Sequence, residues 1–283
     1  MARSIELEWH NDGFYIPKIQ EWSTRKYRLV ANYMDMFSKS MKNKWDKLVY
    51  IDLFAGAGVS NYEEKKKIVK GSPLLALGME YQFDKYIFCE EIDKRIDALR
   101  ERVDKDFVQI DTKLIHGDCN EKVGEIIAEI PEGRKVLSFC FVDPFKLSSL
   151  KFHTIMSLSM NRRIDFLILF PTSMEIRRWR IEYLKKDHTI IEEFLGEESW
   201  RNDWRDNKLS DREFVKFIVK QFGEKMISIG YLKNGIDEMH EIKIADRNQS
   251  LYHLAFFSKD KLGYKFWRAA KTYGDDQLEI GFK

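Results

Sequence analysis

The sequence predicts an α/β protein built on a three-layer, doubly wound sheet, and three observations carry that expectation. Five short apolar runs each close on an acidic residue or a proline, helical patterns separate them, and two further runs near the end of the chain are spaced for an antiparallel hairpin. Over 283 residues, 44% hydrophobic and 14% aromatic content is enough for a sizeable core and excludes a disordered chain. Charged residues, 33% of the total, are spread along the length and leave no room for an apolar span of about 20 residues. A soluble protein with no membrane association is therefore expected. Lys and Arg number 48 against 46 Asp and Glu, a net charge of +2, so any basic surface must be local.

In chain order, residues 22–41 carry Tyr27, Leu29, Val30, Tyr33, Met34 and Phe37 at steps of three and four, which predicts an amphipathic helix with Ser23 as its cap. The run from Leu48 to Asp52 is apolar on both faces, as in a central parallel strand covered by helices on each side. Phe54-Ala55-Gly56-Ala57-Gly58 follows at once. A polar stretch with Lys65, Lys66, Lys67 and Lys70 reads as a solvated face, and Gly71-Ser72-Pro73 then opens a helix, with Ser72 as cap and Pro73 at the first helical position. A second strand over 85–90 leads to a helix over 93–103, and a third over 112–116 to a short helix through Val123, Ile126 and Ile127. Runs over 136–142 and 165–170 stop at Asp143-Pro144 and Pro171. From 171 to 230 the sequence turns helical, charged and Trp-bearing. Strands return over 239–245 and 251–258 across the turn Asp246-Arg247-Asn248-Gln249-Ser250, and residues 261–271 form a closing helix.

A parallel core finished by an antiparallel hairpin distinguishes the S-adenosylmethionine-dependent methyltransferase fold from most dinucleotide-binding sheets. That class carries the strand order 3-2-1-4-5-7-6, strand seven antiparallel. The expected organisation is a helical N-terminal element over 1–46, a methyltransferase-like core over 47–170 and 231–283, and a helical insertion over 171–230 serving as a substrate or partner lobe.

Open α/β sheets bind ligands outside the carboxyl ends of their strands, so the strand-end residues decide the ligand. At the first end, Asp52 is placed to hold a ligand ammonium, and Phe54, Ala55, Gly56 and Gly58 form a turn whose backbone N–H groups can approach an anion. The phosphate-cradling patterns fit badly: GxGxxG would need a glycine at Asn61, and no GxxxxGK[ST] exists. GxG by itself also marks a structural tight turn. Glu90 or Glu91, at the second end, can accept both hydroxyls of a ribose, and Glu90 directly follows the apolar run; the pair can equally cap a helix start. Asp118, with Cys119 beside it, is placed to accept an adenine amino hydrogen or to act as an N-cap. Read together in chain order, these ends give ammonium, ribose and adenine: S-adenosylmethionine.

At the fourth end, Asp143, Pro144 and Phe145 occupy the place of a reaction centre. Methyltransferases of exocyclic amines often carry Asp or Asn, two prolines and an aromatic there; the carboxylate accepts amine hydrogens and the ring stacks on the base. Here the aromatic comes one position early, the second proline is absent and Lys146 follows. Beyond the fifth strand, residues 175–186 hold five basic and two acidic residues. Arg177, Arg178 and the interleaved Trp179, with Lys146, suit a nucleic-acid backbone and an unstacked base. The spacing of Ile176, Trp179 and Tyr183 also suits a packed helix.

The chain resembles the three-Cys-motif partner protein family, a methyltransferase-like group. The resemblance rests on Trp22-Ser23-Thr24-Arg25-Lys26, on Tyr50-Ile51-Asp52-Leu53-Phe54-Ala55-Gly56-Ala57-Gly58, and on Gly71-Ser72-Pro73. Phe88-Cys89-Glu90, Gly117-Asp118-Cys119-Asn120 and Val142-Asp143-Pro144-Phe145 complete it. It implies the fold and S-adenosylmethionine binding, and a three-cysteine-motif protein as a partner; the family pattern has glycine where this chain has Lys146. Function is thus expected to be methyl transfer to a nucleic-acid base or similar planar amine, or else non-catalytic binding to such a partner. Cys89, Cys119 and Cys140 show no CxxC spacing and read as buried, which points to a reducing cytoplasm and no zinc. None follows a proline, so C5-cytosine chemistry with a Pro-Cys nucleophile is set aside. The N-terminal residues lack the apolar core of a signal peptide, and the sequence leaves the oligomeric state open.

Overall fold

A computed structural model describes residues 6–19, 21–62, 66–185, 187–207, 210, 213–233, 238–244 and 249–280. The chain divides into two compact units, Met1–Phe141 with Leu262–Lys283, and Val142–Lys261.

The first unit begins with two short strands, β1 (Glu8–Trp9) and β2 (Lys18–Ile19), and the helix α1 (Glu21–Met41). Leu29, Val30, Tyr33, Met34 and Phe37 of α1 are buried, as their spacing requires. The helix starts before Ser23, which lies within it rather than capping it. β3 (Lys47–Asp52) is buried on both faces after its first residue. The glycine-bearing turn leads into β4 (Val59–Tyr62), β5 (Lys67–Lys70) and α2 (Ser72–Leu77). Gly71, not Ser72, occupies the cap position of α2, with no side-chain cap bond, so Ser72 is the first helical residue and Pro73, expected there, is the second. Then follow β6 (Lys85–Glu90), α3 (Asp93–Asp106), β7 (Thr112–His116), α4 (Val123–Glu129) and β8 (Val136–Val142).

β3 pairs in parallel with both β6 and β8, and β6 pairs in parallel with β7. The spatial order β7-β6-β3-β8 is the 3-2-1-4 half of the predicted sheet. Aromatic side chains fill one side of it: Phe139 of β8 lies 4.7 Å from Tyr33, 5.9 Å from Phe37 and 5.9 Å from Tyr50, ring centre to ring centre. A second, four-stranded sheet has the order β1-β5-β4-β2 and no counterpart among the predicted elements. It ties residues 8–19 to the strands that follow the glycine turn.

In the second unit, a 3-10 turn (Leu147–Ser149) and α5 (Phe152–Ser159), an unpredicted helix, precede β9 (Ile164–Phe170). A π-helical turn (Thr172–Ile176) leads into α6 (Arg180–Tyr183), α7 (Ile190–Leu195), α8 (Trp200–Asp206) and α9 (Phe214–Ser228). β10 (His240–Ile244) and β11 (Gln249–Phe257) pair antiparallel, and β11 pairs antiparallel with β9, giving the 5-7-6 half of the predicted order. The predicted turn between them, apart from Gln249 and Ser250, lies outside the described residues, as does Lys65. Phe222 of α9 centres this unit's core, 4.9 Å from Phe194, 5.0 Å from Phe170 and 5.5 Å from Phe152. Returning to the first unit, α10 (Lys261–Ile280) extends beyond its predicted end and buries Trp267. No described helix is long and apolar enough to cross a membrane.

Phe139→Ala removes a fully buried ring from a close-packed cluster. Urea titration should show a loss of about 3–5 kcal/mol, whereas Val108→Ala, at an exposed position, should stay within about 0.5 kcal/mol of the wild type.

Candidate functional site

Register fixes the geometry of the first unit's site. Asp52 at the end of β3 is opposite Phe88 of β6, and Glu90 at the end of β6 is opposite His116 of β7, one residue before Gly117-Asp118. Three carboxylates therefore stand at the carboxyl ends of three adjacent strands.

Asp52 is fully buried. Its Oδ1 accepts the Phe54 N–H at 3.1 Å and its Oδ2 the Tyr50 hydroxyl at 3.2 Å, so the carboxylate braces the turn from within. Burial, with the charge and hydrogen bond of Asp52 added to it, pushes the Tyr50 hydroxyl well above its usual range. The turn is further fixed by Ala55 N–H to the Cys89 carbonyl at 2.9 Å and by Gly71 N–H to the Gly58 carbonyl at 2.7 Å.

Glu90 is only 6% exposed. Its Oε2 accepts the Gly56 N–H at 2.7 Å, its Oε1 accepts the Ile92 N–H at 3.0 Å, and the Arg95 guanidinium stands 3.9 Å away. Each oxygen retains a further acceptor direction, since an ionised carboxylate offers about four. The Gly56 N–H, expected to face a ligand anion, is instead spent on Glu90. Glu91 is exposed and offers its backbone carbonyl to His116 Nε2 at 3.2 Å. The two adjacent glutamates are thus separated: Glu90 joins the turn, Glu91 does not.

Both turn glycines have left-handed backbones, φ +66° at Gly56 and +81° at Gly58, but different surroundings. A Cβ on Gly58 would lie 2.8 Å from Leu99 Cδ1 and 3.2 Å from Leu74 Cγ, so a side chain there would have to displace α2 or α3 side chains. A Cβ on Gly56 would meet nothing within 4 Å, so open space adjoins the residue bonded to Glu90. Phe54 is half-buried, and Ala55 is buried. At the third strand end Asp118 is half-buried, and its Oδ1 accepts both the backbone N–H and the side-chain amide of Asn120 at 2.7 Å. Cys119 beside it is buried, and burial raises its thiol pKa. Cys89 and Cys140 are also buried, and none of the three is in a disulfide.

The second unit holds the other expected site residues. Asp143 is half-buried and Pro144 buried, but Phe145 is 84% exposed and Lys146 is exposed beside it. Arg177 and Arg178 are exposed and in no ion pair among the described residues, and Trp179 is 50% exposed. Lys186, counted in the same basic segment, lies outside the described residues. Sequence reasoning gave Glu175 no role, yet its Oε2 accepts the Leu147 N–H and its Oε1 the Tyr183 hydroxyl, each at 2.7 Å. Burial and this carboxylate push the Tyr183 hydroxyl above its usual range. Glu175 thereby ties the segment after Lys146 to α6.

No family model matches the chain, and no curated protein matches it. Solved structures do. Protein LPL1258 of Legionella pneumophila, of the DUF519 family model, is 11% identical with a TM-score of 0.51, over 87% of this chain and 91% of that one. The likeness is one of fold. Precorrin-6y C5,15-methyltransferase of Geobacter metallireducens is 11% identical with a TM-score of 0.43, over 90% and 98% of the two chains. Magnesium protoporphyrin IX methyltransferase of Synechocystis, solved with S-adenosylmethionine bound, is 9% identical with a TM-score of 0.43, over 84% and 81%.

The glycine surroundings give an ordered expectation. Gly56→Ala should cost about 1–2 kcal/mol, the penalty for a left-handed side-chain residue, and Gly58→Ala more, because its methyl must also displace Leu99. Denaturation midpoints of the two variants check it; equal losses would show that the Leu99 approach relaxes freely.

Proposed function

We propose that the protein is an S-adenosylmethionine-dependent methyltransferase acting on a nucleic-acid base or similar planar amine. The observation that carries this reading is the Glu90 carboxylate, nearly buried, bonded to Gly56 and bordered by open space at the same glycine. A ribose needs two acceptors held rigidly at a strand end, and Glu90 offers both remaining acceptor directions with its orientation fixed. Asp118 adds an acceptor for an adenine amino group at the adjacent strand. Asp52 contributes its negative charge from beneath the turn for the ammonium, rather than an open acceptor.

When bound, S-adenosylmethionine supplies an electrophilic methyl group on a sulfonium. Asp143 follows β8 and is proposed to accept the amine hydrogens and so direct the nitrogen lone pair. Phe145, with its ring almost wholly in solvent, stacks on the planar substrate; a large apolar side chain so exposed is what an unfilled stacking platform presents. Arg177 and Arg178 with Trp179, and Lys146 beside Phe145, fit the phosphates and a neighbouring unstacked base. Cytoplasmic residence, already expected from the cysteines, belongs to the same reading.

A second reading is a non-catalytic, methyltransferase-like partner of a three-cysteine-motif protein, on the resemblance given above. Two observations favour it: the near-zero net charge, and the internal engagement of Asp52, Glu90 and Asp118.

Calorimetry with S-adenosylhomocysteine tests the cofactor half. Glu90→Ala should weaken binding by about 1–3 kcal/mol while Glu91→Ala leaves it unchanged, and absence of heat with the wild type would overturn the assignment. Incubation of the wild type and Asp143→Ala with methyl-tritiated S-adenosylmethionine and separate RNA, DNA and protein fractions tests the catalytic half. Label in a nucleic-acid fraction with the wild type alone is expected; cofactor binding without label in any fraction would favour the partner reading.

A further inference from the structure

We infer that Arg102 is a positioning residue for the glycine turn, acting through the Ala57 carbonyl and held in place by Asp12 of the N-terminal segment. The inference rests on the cofactor reading above for its consequence, but on geometry for its existence. Arg102 belongs to α3 and is fully buried, an uncommon place for a guanidinium. A charge there must be paired and all its N–H groups directed. Its Nε and Nη2 donate to the two oxygens of Asp12 at 2.7 and 2.8 Å, a fork-to-fork pairing. Its Nη1 donates to the Ala57 carbonyl at 2.7 Å, between the two turn glycines, and lies 3.2 Å from the Tyr15 carbonyl.

Asp12 is itself anchored, accepting from Trp9 Nε1 at 3.1 Å and from the Phe14 N–H at 3.2 Å. Burial alone would raise its carboxyl, but the bonds from Arg102, Trp9 and Phe14 prevail and hold it at about 2, so it is ionised at neutral pH. Residues flanking this pair are woven into the small sheet: Lys70 N–H meets the Leu7 carbonyl at 2.7 Å and Asn61 N–H the Pro17 carbonyl at 2.8 Å. β4 of that sheet begins at Val59, directly after Gly58. The N-terminal segment, the small sheet and the turn therefore converge on one guanidinium. The Ala57 peptide follows the Gly56 carbonyl, and Gly56 donates to Glu90. Fixing Ala57 thus restrains the turn beside the residue bonded to Glu90, and with it the direction of the Glu90 carboxylate.

Lysine retains the charge of Arg102 but cannot form the fork and reach Ala57 together. Asp12→Asn keeps the shape of the carboxylate and loses its charge. Both variants are expected to bind S-adenosylhomocysteine at least about tenfold more weakly at a temperature where their circular dichroism is native. Leu48→Ala, a cavity at the far end of β3, is expected to lower the melting temperature without changing affinity, which separates positioning from general destabilisation. Hydrogen exchange read at residues 54–59 should be faster in both Arg102→Lys and Asp12→Asn than in Leu48→Ala. Native affinity and native exchange in folded Asp12→Asn would overturn the inference. Should Arg102→Lys not fold, Asp12→Asn decides alone. If the wild type itself binds no S-adenosylhomocysteine, the cofactor reading fails, and the exchange rates still decide whether Arg102 positions the turn.

Discussion

A carboxylate that is nearly buried at the end of a parallel strand has to be hydrogen-bonded, and the way Glu90 meets that requirement organises the first unit. One oxygen takes the Gly56 N–H and the other the Ile92 N–H, so a single side chain joins the end of β6, the turn after β3 and the entry to α3. The same helix returns to the turn ten residues later, where Arg102 holds the Ala57 carbonyl. Asp52 holds the turn's first amide from below. A loop of small residues, which would otherwise sample many conformations, is thereby fixed by charged groups of both signs.

The electrostatics of this end of the sheet follow from the same arrangement. Acceptors, not nucleophiles, dominate it. Burial, reinforced by Glu90, Asp118 and Asp52, pushes the Cys89 thiol up to about 12, and Cys140, fully enclosed beside Asp52, is raised as well. Thiolate chemistry is thus disfavoured where hydrogen-bond acceptance is concentrated. The second unit has a different character: Phe145 and Trp179 are exposed, Arg177 and Arg178 are exposed and in no ion pair among the described residues, and Glu175 holds the Leu147 N–H and the Tyr183 hydroxyl.

The principal strands were legible because each must be apolar on both faces and must stop where the chain leaves the sheet. Lys85–Glu90, Thr112–His116 and Val136–Val142 coincide with their predicted bounds for that reason. The small sheet was not legible: its strands are two to four residues long, too short for alternation, and Glu8 finds its partner at Val69. Ser72 read as a cap from its type alone, but Gly71 takes the position without a side-chain bond. Arg102 sits in a run of charged residues, Arg100, Glu101, Asp104 and Lys105, where nothing local marks it as the buried one. Its partner lies 90 positions away, and so does the signal. Glu175 was hidden likewise, since its function needs an amide 28 residues upstream. Which of Glu90 and Glu91 engages the turn is a matter of pleat, and the Gly56 bond shows that it is Glu90.

The central claim is that the Glu90 carboxylate, fixed by Gly56, is a ribose acceptor. A crystal structure of the protein with S-adenosylhomocysteine tests it directly. The account predicts both ribose hydroxyls at about 2.6–3.0 Å from the Glu90 carboxylate oxygens, with the Gly56 bond intact. A ligand bound elsewhere, or one whose ribose contacts Glu91 while Glu90 keeps only its backbone partners, would contradict it.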